Sequence, residues 1–415
     1  MKMKQEFITI REKEATARVQ MSQVQAVRLK DITKKGVRVY KDGKIGISGA
    51  VGEASDTFLL ESAKQNLRAG IDYPYPLTRD HQDHRSYNDK PMDSQELLDH
   101  AEQILAVLRN DYPDFSFSEF ISSNEMTFHM RNSEGLDLEY KDAFFVLNLI
   151  LKEKATANLF DGGLVCQSRL FEPKKFLEFN RGFLEAYRNK VDLPKDDVLP
   201  IFTLDTSSLM GFLGRALHGE RFAKGSSLFS EKMGELLFSE RIIIELLRDP
   251  EVALAPFFDA EGVVLPDDRL RVIEQGRLMR VLTDKKTAEV YNLPHTGAAT
   301  GSYDDPPTID GAHGQALAFR TDSKDIAESI NGQPAIFALI CSGGDFTADG
   351  SYATPVQVSF LFDGERLVGK LPEFSMRSHI NNMLGEDYIG TFDNTSLYLG
   401  DIPSQLQGYY MNIMR

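Results

Sequence analysis

Several features are missing from this 415-residue sequence, and each absence narrows the possible functions. No apolar run approaches the roughly 20 residues that a membrane-spanning helix needs, so we expect no membrane protein. The N-terminal Met-Lys-Met-Lys is not followed by an apolar stretch, which predicts no signal peptide and a cytoplasmic location. Cysteine occurs only twice, as Cys166 and Cys341. This scarcity excludes a disulfide framework and predicts two small buried side chains in a reducing compartment.

Positive charge is also scarce. The chain has 47 Lys and Arg residues against 62 Asp and Glu residues, and its net charge is -15. Such a surface repels a phosphate backbone, and no local run of Lys and Arg offsets the repulsion. The composition therefore predicts no direct contact with nucleic acid.

What is present is an ordinary globular composition, with 42% hydrophobic and 26% charged residues. This length and composition suffice for two domains. A charged, proline-bearing stretch over 190–200 is the predicted linker, which gives an N-terminal domain over 1–192 and a C-terminal domain over 193–415. We predict an α+β fold, with a sandwich-like N-terminal domain that contains an antiparallel meander and a mostly β C-terminal domain rich in hairpins.

In the N-terminal domain, the pattern predicts a pair of strands over 36–54 and then a helix that Ser55 or Asp56 can cap and Gly70 can end. Residues 71–91 lack periodicity and are interpreted as a long surface loop. Asp93 and Glu96 have the spacing of a capping box. They precede one apolar helical stripe, formed by Leu97, Ala101, Ile104, Leu105 and Leu108.

Four strand-like runs follow, and a further helix opens at Pro173. The runs are 115–120, 126–130, 136–140 and 144–151, which we interpret as an antiparallel meander. The helix carries aromatic side chains that would cover this sheet, namely Phe176, Phe179, Phe183 and Tyr187.

In the C-terminal domain, Asp205 can cap a helix that reaches Leu217, a second helix is predicted near Ser227, and residues 241–247 have the composition of a strand. Two hairpins are predicted to turn at Gln275-Gly276 and at Asp363-Gly364.

Two groups of residues invite a catalytic or metal-binding interpretation, and each also has a structural one. His81 and His84 could hold a transition metal together with the neighbouring carboxylates, but no third histidine or cysteine lies nearby and a solvated loop explains them as well. We therefore predict no metal site there. Cys341 and His379 could form a thiolate nucleophile, although a cysteine at the end of a strand is more often packing.

Three more segments have residue types found in ligand-binding or catalytic sites. Lys224-Gly-Ser-Ser lacks the upstream glycine of a phosphate-binding loop. Lys224 and Ser226 could form a dyad, but a structural turn explains them as well. Asp259 and Glu261 could do acid-base chemistry, although such side chains commonly fix a turn or form an interface. The segment that contains Asp345 and Asp349 lacks the spacing and the closing glutamate of an EF-hand.

Five ordered segments of the C-terminal domain resemble the TldD/TldE family, whose TldE side is also called PmbA and is named as a modulator of DNA gyrase. The segments are 217–227, 256–263, 273–278, 296–299 and 342–346. The early strands with Val51-Gly-Glu-Ala-Ser fit more loosely, so the resemblance covers most of the chain.

The resemblance implies a zinc metalloprotease in which the TldD side supplies a His-Glu-x-x-x-His helix and a later cysteine. Aligned without gaps on Lys224-Gly-Ser, these helix positions fall on Met210, Gly211 and Arg215, and the stretch 387–408 has no cysteine. His218 and Glu220 are two residues apart and cannot reproduce the pattern. The chain is therefore similar to the TldE side, with no catalytic residue, metal ligand or cofactor of its own and with zinc in the partner.

The resemblance further implies a TldD-like partner and an unfolded peptide as substrate, with an antibiotic precursor and an antitoxin among the substrates of the family. We expect the matched residues Lys224, Gly225, Ser226, Asp259, Glu261 and Gly262 near the substrate or partner cleft. Two alternatives remain open. One is a stand-alone binding protein, a homodimer in isolation, that acts on DNA gyrase through protein contacts. The other is a hydrolase that uses Cys341 or Ser226.

Overall fold

The structure is a computed structural model that describes residues 2–157, 161–309, 316–322, 325–395, 397 and 399–415. Its N-terminal part is built on an eight-stranded sheet with the order β4-β3-β2-β1-β6-β7-β5, in which β8 also pairs with β7. The strands are β1 Lys4–Gln20, β2 Gln23–Lys41, β3 Lys44–Val51, β4 Ile71–Asp72, β5 His81–Ser86, β6 Phe115–Asn132, β7 Leu136–Glu153 and β8 Gly162–Ser168. The helices of this part are α1 Asp56–Asn66, α2 Ser94–Asp111 and α3 Pro173–Arg188.

The C-terminal part contains a four-stranded sheet with the order β12-β11-β10-β13 and a nine-stranded sheet with the order β15-β16-β19-β21-β9-β14-β17-β18, in which β20 also pairs with β21. The elements up to residue 319 are β9 Val198–Thr203, α4 Ser207–Ala216, α5 Gly219–Ala223, β10 Ile244–Leu247, β11 Arg269–Glu274, β12 Arg277–Leu278, α6 Lys285–Tyr291 and β13 Leu317–Phe319. The remaining elements are α7 Ile326–Ile330, β14 Ala335–Ile340, β15 Asp345–Phe346, β16 Ser351–Val356, β17 Val358–Phe362, β18 Leu367–Lys370, β19 Phe374–His379, α8 Ile380–Met383, β20 Tyr388–Asp393 and β21 Gln405–Met414. The α+β class is confirmed.

Helix α2 forms for the reason that the sequence indicates. The Asp93 carboxylate accepts hydrogen bonds from the backbone N–H groups of Gln95 and Glu96, which would otherwise have no partner at the helix start. All five residues of the predicted stripe are buried against the sheet. The Ser55 cap of α1 and the left-handed Gly70 after it are also confirmed, as are the turns of both predicted hairpins.

The long β6 and β7 strands correct the predicted meander of four short strands. The register runs without a break from Phe115 opposite Glu153 to Arg131 opposite Asp137. The polar residues that suggested a turn stay in the ladder because they have partners: the Ser123 hydroxyl donates to the Met92 carbonyl at 2.7 Å. Four runs are therefore two strands.

The predicted surface loop over 71–91 is also wrong in part, because it contains β4 and β5. Strand β5 lies parallel to β7, with His84 opposite Glu139. The sequence of β5 is polar and lacks the alternation of apolar and polar residues that is typical of a strand. Its strand conformation therefore depends on pairing with the edge of the sheet and not on its local sequence. The predicted helix near Ser227 is wrong as well, because the Ser227 hydroxyl accepts the Phe229 N–H at 3.0 Å in a turn. The predicted strand over 241–247 is present but shorter, as β10.

One apolar cluster joins the two parts of the chain. Phe176 and Tyr187 of α3 are buried together with Phe202, Phe337 and Phe360 of the nine-stranded sheet. The predicted boundary at residue 192 lies between α3 and β9 and stays a prediction. Within the residues that the structure describes, no helix is both long enough and apolar enough to cross a bilayer.

Candidate functional site

Helix α4 carries the three positions at which the active members of the resembled family would have their His-Glu-x-x-x-His residues. The predicted cap at Asp205 is wrong by one residue, because Thr206 is the N-cap of the helix and has no side-chain cap hydrogen bond. The Asp205 carboxylate accepts the Ser207 N–H at 3.1 Å in the turn before the helix. One face of the helix is buried in the core. Met210 is half-buried beside this face, whereas Gly211 and Arg215 are exposed.

A cavity of about 530 Å³ opens beside Met210. Its wall is formed by residues on α4, β10, β11, β13, β20 and β21 and on the connections near them. The lining includes Glu245, Arg269, Arg320, Asp393, Gln405 and Gln407. Among the lining residues that the structure describes, none has an imidazole or a thiol, and the polar groups of this wall are carboxylates, guanidinium groups, amides and hydroxyls.

The cavity brings together two stretches that are far apart in the sequence. One is α4, and the other is the stretch 387–408, which lines the cavity through Asp393, Leu399 and the residues 403–405 and 407. Ser396 and Tyr398 of this stretch lie outside the described residues. In the active side of the resembled family, these two stretches supply the zinc ligands.

The predicted cleft residues Lys224, Gly225 and Ser226 lie in the turn after α5. The Lys224 ammonium contacts the Glu220 carboxylate, and the Ser226 hydroxyl donates to the Arg221 carbonyl at 3.3 Å. A Lys-Ser dyad requires the Lys224 ammonium to contact the Ser226 hydroxyl. Each of these two groups has a different partner instead. Ser226 lines a second cavity, of about 200 Å³, on the other side of α4.

The predicted residues Asp259 and Glu261 are buried and lie apart from both cavities. The Asp259 carboxylate accepts three backbone N–H groups: Oδ1 accepts those of Glu261 at 2.8 Å and Val263 at 2.9 Å, and Oδ2 accepts that of Ala299 at 3.1 Å. Asp259 thus fixes the turn, which was one of the two interpretations that the sequence left open. Burial and the neighbouring Glu261 raise the pKa of Asp259.

The Glu261 carboxylate has a different set of partners. The Tyr73 hydroxyl donates to it at 2.7 Å and the Lys285 N–H at 3.0 Å, and His295 Nε2 lies at 3.4 Å. Burial by itself would raise the pKa of Glu261, but His295, Lys285 and Tyr73 outweigh burial and hold this pKa below its usual value. Because these donors occupy the carboxylate, Glu261 serves the structure rather than an acid-base step.

This segment also joins the two parts of the chain. The buried Arg38 guanidinium lies 3.1 Å from the Glu6 carboxylate and donates to the Ala260 carbonyl at 2.7 Å. Gly262 packs so closely on Leu136 of β7 that an added Cβ would lie 2.5 Å from Leu136 Cδ2. We define 258–264 as the junction loop. The prediction that its residues approach a cleft in an assembled protein stays a prediction.

Three further sequence candidates, Cys341, His379 and Asp349, have structural roles. Burial, with a contribution from Asp205, raises the pKa of the Cys341 thiol to about 12, which disfavours a thiolate. His379 Nε2 is 2.9 Å from the Asp349 carbonyl, and its Nδ1 accepts the Asn381 N–H at 3.2 Å. The Asp349 carboxylate accepts the Ser351 N–H at 3.2 Å and holds a turn.

Sequence reasoning missed most of the cavity lining. Glu245, Arg269 and Gln405 belong to three separate strands and follow no motif, so nothing in the sequence marks them as neighbours. Two groups of side chains in the described residues could hold a metal ion, and neither lines the cavity. One is Asp259, Glu261 and His295; the other is His84, His129 and Asp137.

Residues 201–397 match the model of the PmbA/TldA metallopeptidase C-terminal domain. Two solved structures share the fold across 99% of this chain and 96% of their own. They are TldE from Thermococcus kodakarensis, with a TM-score of 0.77 and 15% identity, and a protein from Thermotoga maritima named as a modulator of a DNA gyrase, with a TM-score of 0.74 and 16% identity. A protein of the same name from Bacteroides thetaiotaomicron has a TM-score of 0.72 at 15% identity, over 99% of this chain and 94% of its own. No curated protein matches the sequence significantly.

The solved structures show that the α+β fold is shared along the chain, and residues 201–397 are similar to the PmbA/TldA metallopeptidase C-terminal domain. The matched domain and the shared fold support the TldD/TldE (PmbA) family.

Proposed function

We propose that this chain is a TldE-like, non-catalytic subunit of a cytoplasmic zinc metalloprotease of the TldD/TldE type, which processes unfolded peptides. One observation carries the proposal. The cavity beside α4 lies between the two stretches that would hold zinc in an active member of the family. Here Met210 lines this cavity, Arg215 lines the second cavity, and neither they nor Gly211 can hold zinc; the second stretch has no cysteine.

The side chains at these positions cannot perform the reaction themselves. A zinc protease needs imidazole or thiolate ligands and a carboxylate that takes a proton from the metal-bound water. A thioether, a hydrogen atom and a guanidinium do neither. The catalytic zinc therefore belongs to a partner subunit with the His-Glu-x-x-x-His helix.

The cavity itself has features that suit an unfolded peptide. Strand β13 is the last strand of its sheet and lines the cavity. An extended peptide can add to such an edge through main-chain hydrogen bonds. The Gln405 side-chain amide donates to the Phe319 carbonyl of β13 at 2.6 Å, so it occupies an acceptor that an added peptide strand would use. In the proposed assembly, this wall receives a segment of the peptide and the partner cleaves it.

The proposal is tested by expressing the chain with and without a His-Glu-x-x-x-His subunit from the same genome. We expect the two subunits to copurify, and a chelator-sensitive cleavage of an unstructured peptide that requires both. Because Gln405 competes with the peptide for the Phe319 carbonyl, Gln405→Ala should lower the KM of the complex. The exposed Gln333→Ala serves as the matched control and should leave KM unchanged. Chelator-sensitive cleavage by this chain alone would overturn the proposal.

The names of two structural neighbours motivate a second candidate, a protein that modulates DNA gyrase through protein contacts. Affinity capture separates the two candidates. Recovery of the zinc-motif subunit supports the first, and recovery of gyrase subunits without it supports the second. Cleavage that persists in chelator but is lost in Cys341→Ala or Ser226→Ala would favour a hydrolase instead.

A further inference from the structure

The outer face of the N-terminal sheet brings together two histidines and an aspartate from three strands. His84 Nε2 lies 3.1 Å and His129 Nε2 2.7 Å from the same oxygen, Asp137 Oδ1. One ligand atom from each of the three residues lies within 4.8 Å of the others. We call His84, His129 and Asp137 the sheet-face triad.

The strand register explains why these side chains meet. His129 of β6 and His84 of β5 both lie opposite Glu139 of β7, one on each side of it. Because side chains alternate along a strand, Asp137 shares the face of Glu139 and lies two residues away. Strands β6 and β7 by themselves bring together only His129 and Asp137. The parallel pairing of β5 with β7 adds His84.

Strand β5 is held firmly enough to fix the position of His84. Arg85, the next residue, donates to the Asp268 carboxylate at 2.6 Å and to the Asp83 carboxylate at 2.7 Å. Its guanidinium also lies 3.9 Å from the ring centre of Phe257. These contacts lie on the inner face, so they anchor the strand while leaving His84 on the outer face.

The Asp137 carboxylate is not neutralised by a nearby Lys or Arg. Arg131, which lies opposite Asp137 in the ladder, donates to Asp56 at 3.0 Å instead. Lys141 is paired with Glu139 at 2.7 Å. Burial raises the pKa of Asp137, but hydrogen bonds with His129 and His84 outweigh this effect and keep the pKa below its usual value. A negative oxygen thus faces two imidazoles in an accessible position.

We propose that the sheet-face triad binds a divalent transition-metal ion of the zinc type. Neutral imidazoles and a carboxylate are the donors that zinc takes, with metal–ligand distances of about 2.0–2.2 Å. In a tetrahedral site such distances separate the ligand atoms by roughly 3.3 Å, close to the 2.7 Å and 3.1 Å between the imidazole nitrogens and Asp137. A bound ion would replace the shared hydrogen bonds, and water would fill the fourth position.

The second group of potential ligands does not qualify. The oxygens of Asp259 accept backbone N–H groups, and those of Glu261 have donors in Tyr73 and Lys285. A metal ion there would have to break buried hydrogen bonds and leave each of their donors without a partner. The sheet-face triad, with His84 54% exposed, requires no such loss.

Titration of the full chain, prepared without a histidine tag, with zinc chloride in a calorimeter tests the site. We expect one ion per chain, and His84→Ala and His129→Ala should each weaken its binding by more than about tenfold. Asp137→Asn, which hardly changes the side-chain volume, should do the same and guards against a variant that misfolds. His100→Ala and His295→Ala are the matched controls and should bind as the parent does.

Cobalt provides a second readout, because a four-coordinate Co²⁺ site gives visible absorption that the three triad variants should lose. Absence of stoichiometric binding, unchanged binding in the triad variants, or loss of binding in His295→Ala alone would each overturn the proposal. The test is independent of the proposed function. Peptide cleavage with a partner subunit depends on the partner's zinc, and the triad variants should leave the copurification of the two subunits intact.

Discussion

Removing the Asp259 carboxylate should destabilise the junction loop more than any other single change considered for this segment. In Asp259→Ala, the backbone N–H groups of Glu261, Val263 and Ala299 lose their acceptor inside the protein. A buried donor without a partner costs about 1–3 kcal/mol, so three donors set a range of about 3–9 kcal/mol.

Two effects place the expected value in the lower half of this range. Burial of the carboxylate and its repulsion by Glu261 raise the pKa of Asp259, so part of the gain from its hydrogen bonds is already offset in the native protein. Water can also enter the space that the carboxylate leaves. We therefore expect a loss of about 3–5 kcal/mol for Asp259→Ala. Asp259→Asn keeps one acceptor oxygen, and we expect a smaller loss.

Amide hydrogen exchange is the appropriate assay, because a chain of this size need not unfold in one step. A local loss of 3 kcal/mol accelerates exchange at Glu261, Val263 and Ala299 by more than about a hundredfold. Asp349→Ala, which also removes an aspartate from a turn but lies on the surface, is the control and should leave these amides unchanged. Exchange within a few-fold of the parent in Asp259→Ala would refute the reasoning.

Three further predictions concern other contacts. Because the pKa of Cys341 is raised to about 12, a thiol reagent at pH 8 should label it about three orders of magnitude more slowly than a free cysteine, and its rate should rise with pH; rapid labelling at neutral pH would contradict this. Gly262→Ala should cost about 2–3 kcal/mol by amide hydrogen exchange near the changed residue, more than Gly52→Ala, since both have a positive φ but only Gly262 is crowded; equal costs would exclude the clash. Arg38→Ala should cost about 3–5 kcal/mol by leaving Glu6 buried and uncompensated, and a second change, Glu6→Gln, should recover part of the loss; no recovery would count against a charge effect.

The sequence by itself determined the features whose cause is local. The start and buried face of α2 follow from one capping aspartate and a helical period, and the hairpin at Gln275-Gly276 follows from its turn residues. The absence of zinc ligands at Met210, Gly211 and Arg215 is likewise a property of residue types, and it needs no structure. In each case, neighbouring residues carry the information.

Only the tertiary structure decided which distant residues become neighbours. The polar segment around His84 has no strand pattern, so its pairing with β7, and hence the meeting of His84 with His129 and Asp137, depends on the edge that another strand offers. The burial of Asp259 depends in the same way on packing against the N-terminal sheet. Long-range pairing is set by the shape and hydrogen-bonding groups of the partner surface, which the local order of residues does not specify.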